Sequence, residues 1–186
     1  MKIIQAKFPY VLALEPKVFE DNRGCFMELY NEARYKAAGV PESFVQDNLS
    51  VSKKNVLRGL HYQLKHPQGK LVSVVYGKVF DVVVDIRKGS PYFGQWLGFE
   101  LSDENYRQVF VPPGYAHGYV SLSDKVVFHY QCTDYYHPED EHAVLWSDSD
   151  LAIVWSHEGS PLISPKDRAA LPLKDIPSLM LPEYQP

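Results

Sequence analysis

Lys78-Val79-Phe80-Asp81-Val82-Val83-Val84-Asp85-Ile86 is the stretch whose reading decides the fold. As an extended chain it turns Phe80, Val82, Val84 and Ile86 one way, and Val79, Asp81, Val83 and Asp85 the other. That is the period-two signature of a strand. Just upstream, Lys70 to Val75 is again rich in valine, and Tyr76-Gly77 between the two runs reads as a hairpin turn. Further strands are expected at Gly94 to Leu101, Arg107 to Val111, Tyr119 to Leu122, Val126 to Cys132 and Leu151 to Ile153. Short strands punctuated by Pro and Gly predict an all-β sandwich or barrel.

One segment before the tail reads as helix, Asn31 to Ala38, with Asn31 as N-cap and Gly39 as the stop. The length of 186 residues fits a single domain, 1–186, able to bury a real core. Six of the 14 prolines lie between Pro161 and Pro186, so residues 157–186 read as an extension packing over the barrel. Inside it, Ser164-Pro165-Lys166-Asp167 looks like a helix start, with Pro165 in the first helical position.

A net charge of −4 without any basic block gives no reason to expect nucleic acid as a partner. No apolar run approaches the ~20 residues of a membrane-spanning helix. The N-terminus lacks a secretory apolar region, and Cys25 and Cys132 have no metal-like spacing. They read as reduced core thiols, and the expected compartment is the cytoplasm.

Chemistry concentrates around two histidines. His61 lies in Leu57-Arg58-Gly59-Leu60-His61-Tyr62-Gln63, and His117 in Pro112-Pro113-Gly114-Tyr115-Ala116-His117-Gly118. These are places where a cupin barrel would hold metal ligands. The cupin set also needs H-x-H and an acidic residue soon after. Here Gln63 replaces the second histidine, and no carboxylate separates His61 from Lys70. Two imidazoles beside a lysine make a poor first-row metal site, so no metal is expected. A histidine on a strand is by default a satisfied core residue. Arg58, His61, Gln63 and Lys70 nevertheless cluster closely, and Arg58, His61 and Gln63 cannot share one face of a regular strand. Lys70 alone could simply snorkel to solvent. The run Phe128 to Tyr136 reads either as interleaved strand aromatics or as a source of a general acid, Tyr130, and a stacking surface, Tyr136. Asp167 could be no more than a carboxylate helping a helix cap.

The chain resembles the dTDP-4-dehydrorhamnose 3,5-epimerases, metal-free cupin-like enzymes. The resemblance runs from about Ile3 to Leu173. It rests on Phe44 to Asn48, Asn55 to Gln63, Gln68 to Val72, Val79 to Phe93, Pro112 to Gly118 and Cys132 to Tyr136. It implies a double-stranded β-helix, or jelly roll, acting on a dTDP-sugar without any cofactor. A 4-keto sugar has acidic C–H bonds at C3 and C5, because loss of either proton gives an enolate on O4. Inversion needs one group to take the proton and another to return one from the opposite ring face.

By resemblance, His61 is the base, with an unperturbed pKa near working pH, and Asp167 orients it. Tyr130 matches the opposing acid, and Lys70 the cation beside O4. Arg58 and His117 match residues lining the sugar and diphosphate, an arginine fork suiting phosphate oxygens. Gln46 and Asn48 resemble nucleotide contacts, and Tyr136 the residue stacking on thymine. Arg23, Glu28, Glu141 and Lys166 match further binding positions. The resemblance also implies a homodimer with exchanged N-terminal strands, in which Arg23 and Glu28 reach a neighbour's site. A strand-rich N-terminus would leave an exposed edge in a monomer. Three other readings stay open: a single-site epimerase at C3 or C5, a metal-dependent cupin enzyme, and a non-catalytic nucleotide-sugar binding protein.

Overall fold

The computed structural model describes residues 1–5, 8, 10–40 and 43–185. In chain order the first strands are β1 (Lys2–Gln5), β2 (Leu12–Glu15), β3 (Val18–Asp21), β4 (Gly24–Met27), β5 (Gln46–Lys53), β6 (Val56–Gln63) and β7 (Lys70–Tyr76). Then come β8 (Lys78–Asp85), β9 (Trp96–Ser102), β10 (Gln108–Val111), β11 (Tyr115–Ser121), β12 (Lys125–Cys132), β13 (Glu141–Ala143) and β14 (Leu162–Ile163). Two short helices complete the set, α1 (Glu32–Ala37) and α2 (Pro165–Arg168), each capped by the side chain expected, Asn31 and Ser164.

The strands form two facing sheets of a jelly-roll barrel. One runs β1-β2-β10-β7-β12-β5, the other β13-β6-β11-β8-β9, with β14 lying parallel to the first half of β6. The alternation in β8 serves both faces of its sheet. Val79 and Val83 pack between the sheets with Val72, Val74, Val109, Tyr119 and Phe128. Val82, Val84 and Ile86 face outward, where Trp155, Leu173, Ile176 and Leu181 of the C-terminal chain cover them. The outer face of the first sheet is covered in part by Tyr35 and Val40 of the α1 segment, over Leu14, Leu71 and Phe110. Among the described residues no helix is long and apolar enough to cross a membrane.

Three expectations are corrected. Lys70–Tyr76 and Lys78–Asp85 do not form a hairpin: β7 pairs with β10 and β12, β8 with β9 and β11. Gly77, at φ +84°, instead passes the chain from one sheet to the other, pressed against Lys125 O and Ser123 Oγ. Leu151–Ile153 is a turn and not a strand. Its Leu151 side chain is buried, but Ala152 takes φ +48° and its N–H bonds back to Asp148 O. Cys25 is exposed, so only Cys132 is a core thiol.

A bulge between β6 and β11 positions the candidate residues. His117 pairs with His61 and Tyr119 with Arg58, so two steps on β11 oppose three on β6. The extra residue re-phases β6. Gly59 and Gly118 let the backbones approach there: a Cβ on Gly118 would lie 2.6 Å from Arg58 O, and one on Gly59 2.5 Å from Gly118 Cα. Gly118→Ala should therefore destabilise the fold by about 1–3 kcal/mol, the usual cost of overpacking, read as a lowered midpoint in urea unfolding. An unchanged midpoint would show that the strands do not meet this closely.

Candidate active site

The period-two geometry of the first sheet assembles one wall of a cleft. Cross-strand pairing sets Lys70, Cys132 and Gln46 in one row, and Val72, Tyr130 and Asn48 in the next. The second sheet supplies the opposite wall, Arg58, His61 and Gln63 from β6 and His117 from β11. The bulge puts Arg58 beside His61 and Gln63, which a regular strand could not do. The cleft encloses about 320 Å³ and is also lined by Tyr119, Phe128, Tyr136 and Glu141.

His61 is held from behind. Its Nε2 lies 2.5 Å from Asp167 Oδ1, while Nδ1 is 3.7 Å from Glu141 Oε1 on the cleft side. Asp167 sits in the first turn of α2, where Ser164 Oγ accepts its backbone N–H at 3.1 Å. Burial alone would raise the Asp167 carboxyl, but the bond and charge of His61, with help from Ser164 and the Gly59 backbone, hold it below the ordinary value. The alternative role of Asp167 as a cap carboxylate is thus joined to a contact with His61. His117 has its own carboxylate, Asp81, at 2.8 Å from Nε2, and Asp81 is fully buried. Sequence reading placed Asp81 on the face of Val79 and Val83 but attached no role to it. That an aspartate faced the inside of an apolar strand was the available signal.

The Lys70 ammonium makes no hydrogen bond or ion pair among the described residues. Burial pushes its ammonium pKa below that of free lysine, opposed by Cys132, Glu141 and Asp81. Tyr130, on the wall facing His61, is pushed up chiefly by burial, with Arg58 acting the other way. At the cleft mouth, Tyr136 donates its hydroxyl to Glu141 Oε2 at 2.7 Å and its backbone N–H to Gln46 Oε1 at 2.8 Å. Gln46 Nε2 donates to Asn48 Oδ1 at 2.9 Å, and Lys166 pairs with Glu141. Arg58 Nε donates to Ser52 Oγ at 3.2 Å. Gln63, the missing second histidine of a metal site, instead binds backbone of two loops, donating to His66 O and accepting from His137 N. No group of three or more His, Cys, Asp or Glu side chains is placed to hold a metal ion among the described residues.

Arg23 and Glu28 stand apart from this cleft. Arg23 is at the tip of the β3–β4 hairpin, paired with Asp21 at 2.6 Å, and Glu28 binds Arg34 at 2.8 Å. All the other candidates either line the cleft or, as Asp167 and Lys166, bond to residues that do.

A histidine backed by a carboxylate on one wall, a phenol on the other and an ammonium beside them define an acid–base enzyme of the cupin-like class. The chain belongs to the dTDP-4-dehydrorhamnose 3,5-epimerase family, whose sequence model matches residues 5–175. It is 52% identical over 169 residues to the dTDP-4-dehydrorhamnose 3,5-epimerase of Pseudomonas aeruginosa, covering 90% of this chain and 93% of that one. Among solved structures it is similar to the dTDP-6-deoxy-D-glucose-3,5-epimerase of Legionella pneumophila in complex with dTDP-4-keto-L-rhamnose. There the TM-score is 0.97 at 50% identity, covering 100% of this chain and 99% of that one. A 3'-monoepimerase of Streptomyces bikiniensis in complex with dTDP-quinovose matches with TM-score 0.91 at 33% identity, over 97% of this chain and 92% of that one.

The site leaves a mark on stability. An ammonium whose folded pKa lies below its unfolded value costs stability at neutral pH, a cost relieved only as pH rises through the folded value. Lys70→Met should therefore raise Tm, by about 2–4 °C for each kcal/mol recovered. A lowered Tm at pH 7 would contradict this account. Asp167 works the other way: with its folded pKa depressed, its contribution is present above about pH 5 and lost as pH falls through the folded value. Asp167→Asn should flatten the drop in Tm on acidification relative to the parent protein. An equally steep drop would deny the ion pair any part in it.

Proposed function

We propose that this chain inverts both C3 and C5 of dTDP-4-dehydro-6-deoxy-D-glucose to give dTDP-4-dehydro-L-rhamnose, by forming an enolate twice. His61 Nδ1 removes the C–H proton while Nε2–H stays on Asp167, which stabilises the imidazolium. Tyr130 returns a proton from the facing sheet, and therefore from the other side of the sugar ring. Lys70 neutralises the charge growing on O4, where a preorganised cation in a dry cleft counts most. No cofactor enters the scheme. The observation that carries it is the placement of His61 and Tyr130 on opposite walls of one cleft, with Lys70 on the tyrosine's side.

Arg58 and His117 take the diphosphate and sugar, Gln46 and Asn48 the nucleoside, and Tyr136 stacks on the base, with Lys166 and Glu141 at the mouth. That the Legionella relative was solved with dTDP-4-keto-L-rhamnose supports this choice of ligand. We also place the enzyme in the cytoplasm as one domain whose C-terminal segment carries Asp167 to the barrel.

We assign Arg23 and Glu28 to the cleft of a second subunit in a homodimer with exchanged N-terminal strands. Their hairpin supports this: β3 and β4 pair only with each other among the described residues, and leave Phe19 and Phe26 52% and 69% exposed. Such aromatic surface is ordinarily covered by a partner. A single-site epimerase is the second reading, favoured by the likeness to the Streptomyces monoepimerase.

Proton NMR of the 4-keto sugar in heavy water separates these. Deuterium should enter C3 and C5 with inversion at both; entry at one carbon would establish the single-site enzyme. His61→Ala should lose about 10²–10⁴-fold in rate, the usual range for a positioned acid or base. Tyr130→Phe should slow inversion more than C–H exchange. Parental turnover in His61→Ala would sink the mechanism.

A further inference from the structure

Two inversions by one acid–base pair pose a problem of proton accounting. After the first, the C–H proton sits on His61 Nδ1 and the proton of Tyr130 has gone to carbon, leaving imidazolium and phenolate. The second inversion requires the starting state again. One proton must leave Nδ1, and one must reach Tyr130, with no net change of charge. The proton held on Nε2 by Asp167 cannot serve, because its loss would leave the ring in the tautomer whose free nitrogen faces Asp167. The departing proton must come from the cleft side of the ring, while the bound ligand fills the cleft.

One carboxylate stands at that nitrogen. Glu141 of β13 pairs with Gln63 of β6, two positions along from the pair Ala143 and His61, and its Oε1 comes to 3.7 Å from His61 Nδ1. Its side chain is only 15% exposed. Oε2 accepts from the Tyr136 hydroxyl at 2.7 Å and from the Lys166 ammonium, both residues about half exposed at the mouth. We propose that Glu141 is the proton acceptor that resets His61 between the two inversions. It takes the proton from Nδ1 at Oε1 and releases it from that same oxygen to water, returning to carboxylate, while Oε2 keeps its bonds from Tyr136 and Lys166. This inference rests on the function proposed above.

The electrostatics suit a relay better than a store. Burial would raise the Glu141 carboxyl, but Lys166, Tyr136 and His61 together bring it below the ordinary value. A group so held stays ionised until a proton arrives and passes it on quickly. The exit is also separate from the acid: Tyr130 lies on β12 in the opposite sheet, so its proton comes from another part of the cleft.

The test is the ratio of the two inversion rates, followed by rapid quench and NMR of the sugar at saturating substrate. In Glu141→Gln the second inversion should fall at least about 10²-fold further than the first, the low end for loss of a proton-transfer group. Singly inverted sugar then accumulates and is released. Formate added to Glu141→Ala should restore the second inversion, which a merely structural loss would not allow. An unchanged ratio in Glu141→Gln, including a parallel fall of both rates, would overturn the proposal, as would absence of rescue. If the parent protein inverts neither centre or only one, the proposed function fails instead, and the two failures are told apart.

Discussion

The contact between His61 Nε2 and Asp167 Oδ1, 2.5 Å long, joins the barrel to its C-terminal segment. His61 belongs to a strand in the second sheet, Asp167 to the first turn of α2 in the chain that wraps that sheet. The same pair therefore fixes the tautomer of the ring and the seat of the C-terminal segment. Its geometry depends on others. β14 must lie along the start of β6, and Ser164 must cap α2, for the carboxylate to arrive behind the ring. Leu173, Ile176 and Leu181 anchor the segment further along by filling the outer core.

With Nε2 committed, Nδ1 is left for the cleft, and the rest of the site follows from the pairing of strands. The bulge opposite His117 gathers the basic and imidazole groups on one wall, whereas unbroken alternation sets Lys70 and Tyr130 on the other. Substrate chemistry needs groups on two faces of a ring, and two sheets supply two faces. Lys70 brings a positive charge to that cleft. Its cost is borne by the fold, since burial works against the ammonium while the Glu141 and Asp81 carboxylates work for it.

The sequence made some of this legible for physical reasons. Lys78–Ile86 was legible as a strand because each face of β8 has a core of its own, which makes the run almost wholly apolar, with Asp81 and Asp85 confined to one face. Asn31 and Ser164 announced their helices because caps act locally. What was missed depended on distant partners. β5 carries alternating polar residues, since its inner side is wall of the cleft, and so it lacked an apolar signature. The Tyr76-Gly77 turn looked like a hairpin because local turn chemistry does not say which sheet receives the next strand. Leu151–Ile153 had strand-like residues, but packing of Leu151 against the outer core won over extension. The roles of His61, Tyr130 and Asp167 came from resemblance; spacing alone left each with an ordinary alternative.

The central claim is that the two sheets present base and acid to opposite faces of one sugar ring. A crystal structure with dTDP-4-keto-L-rhamnose bound tests it most directly. The account predicts the pyranose between the walls, His61 Nδ1 on one face of the ring, the Tyr130 hydroxyl on the other, and Lys70 Nζ within hydrogen-bond distance of O4. A ring with His61 and Tyr130 on the same face, or a sugar seated outside this cleft, would contradict it.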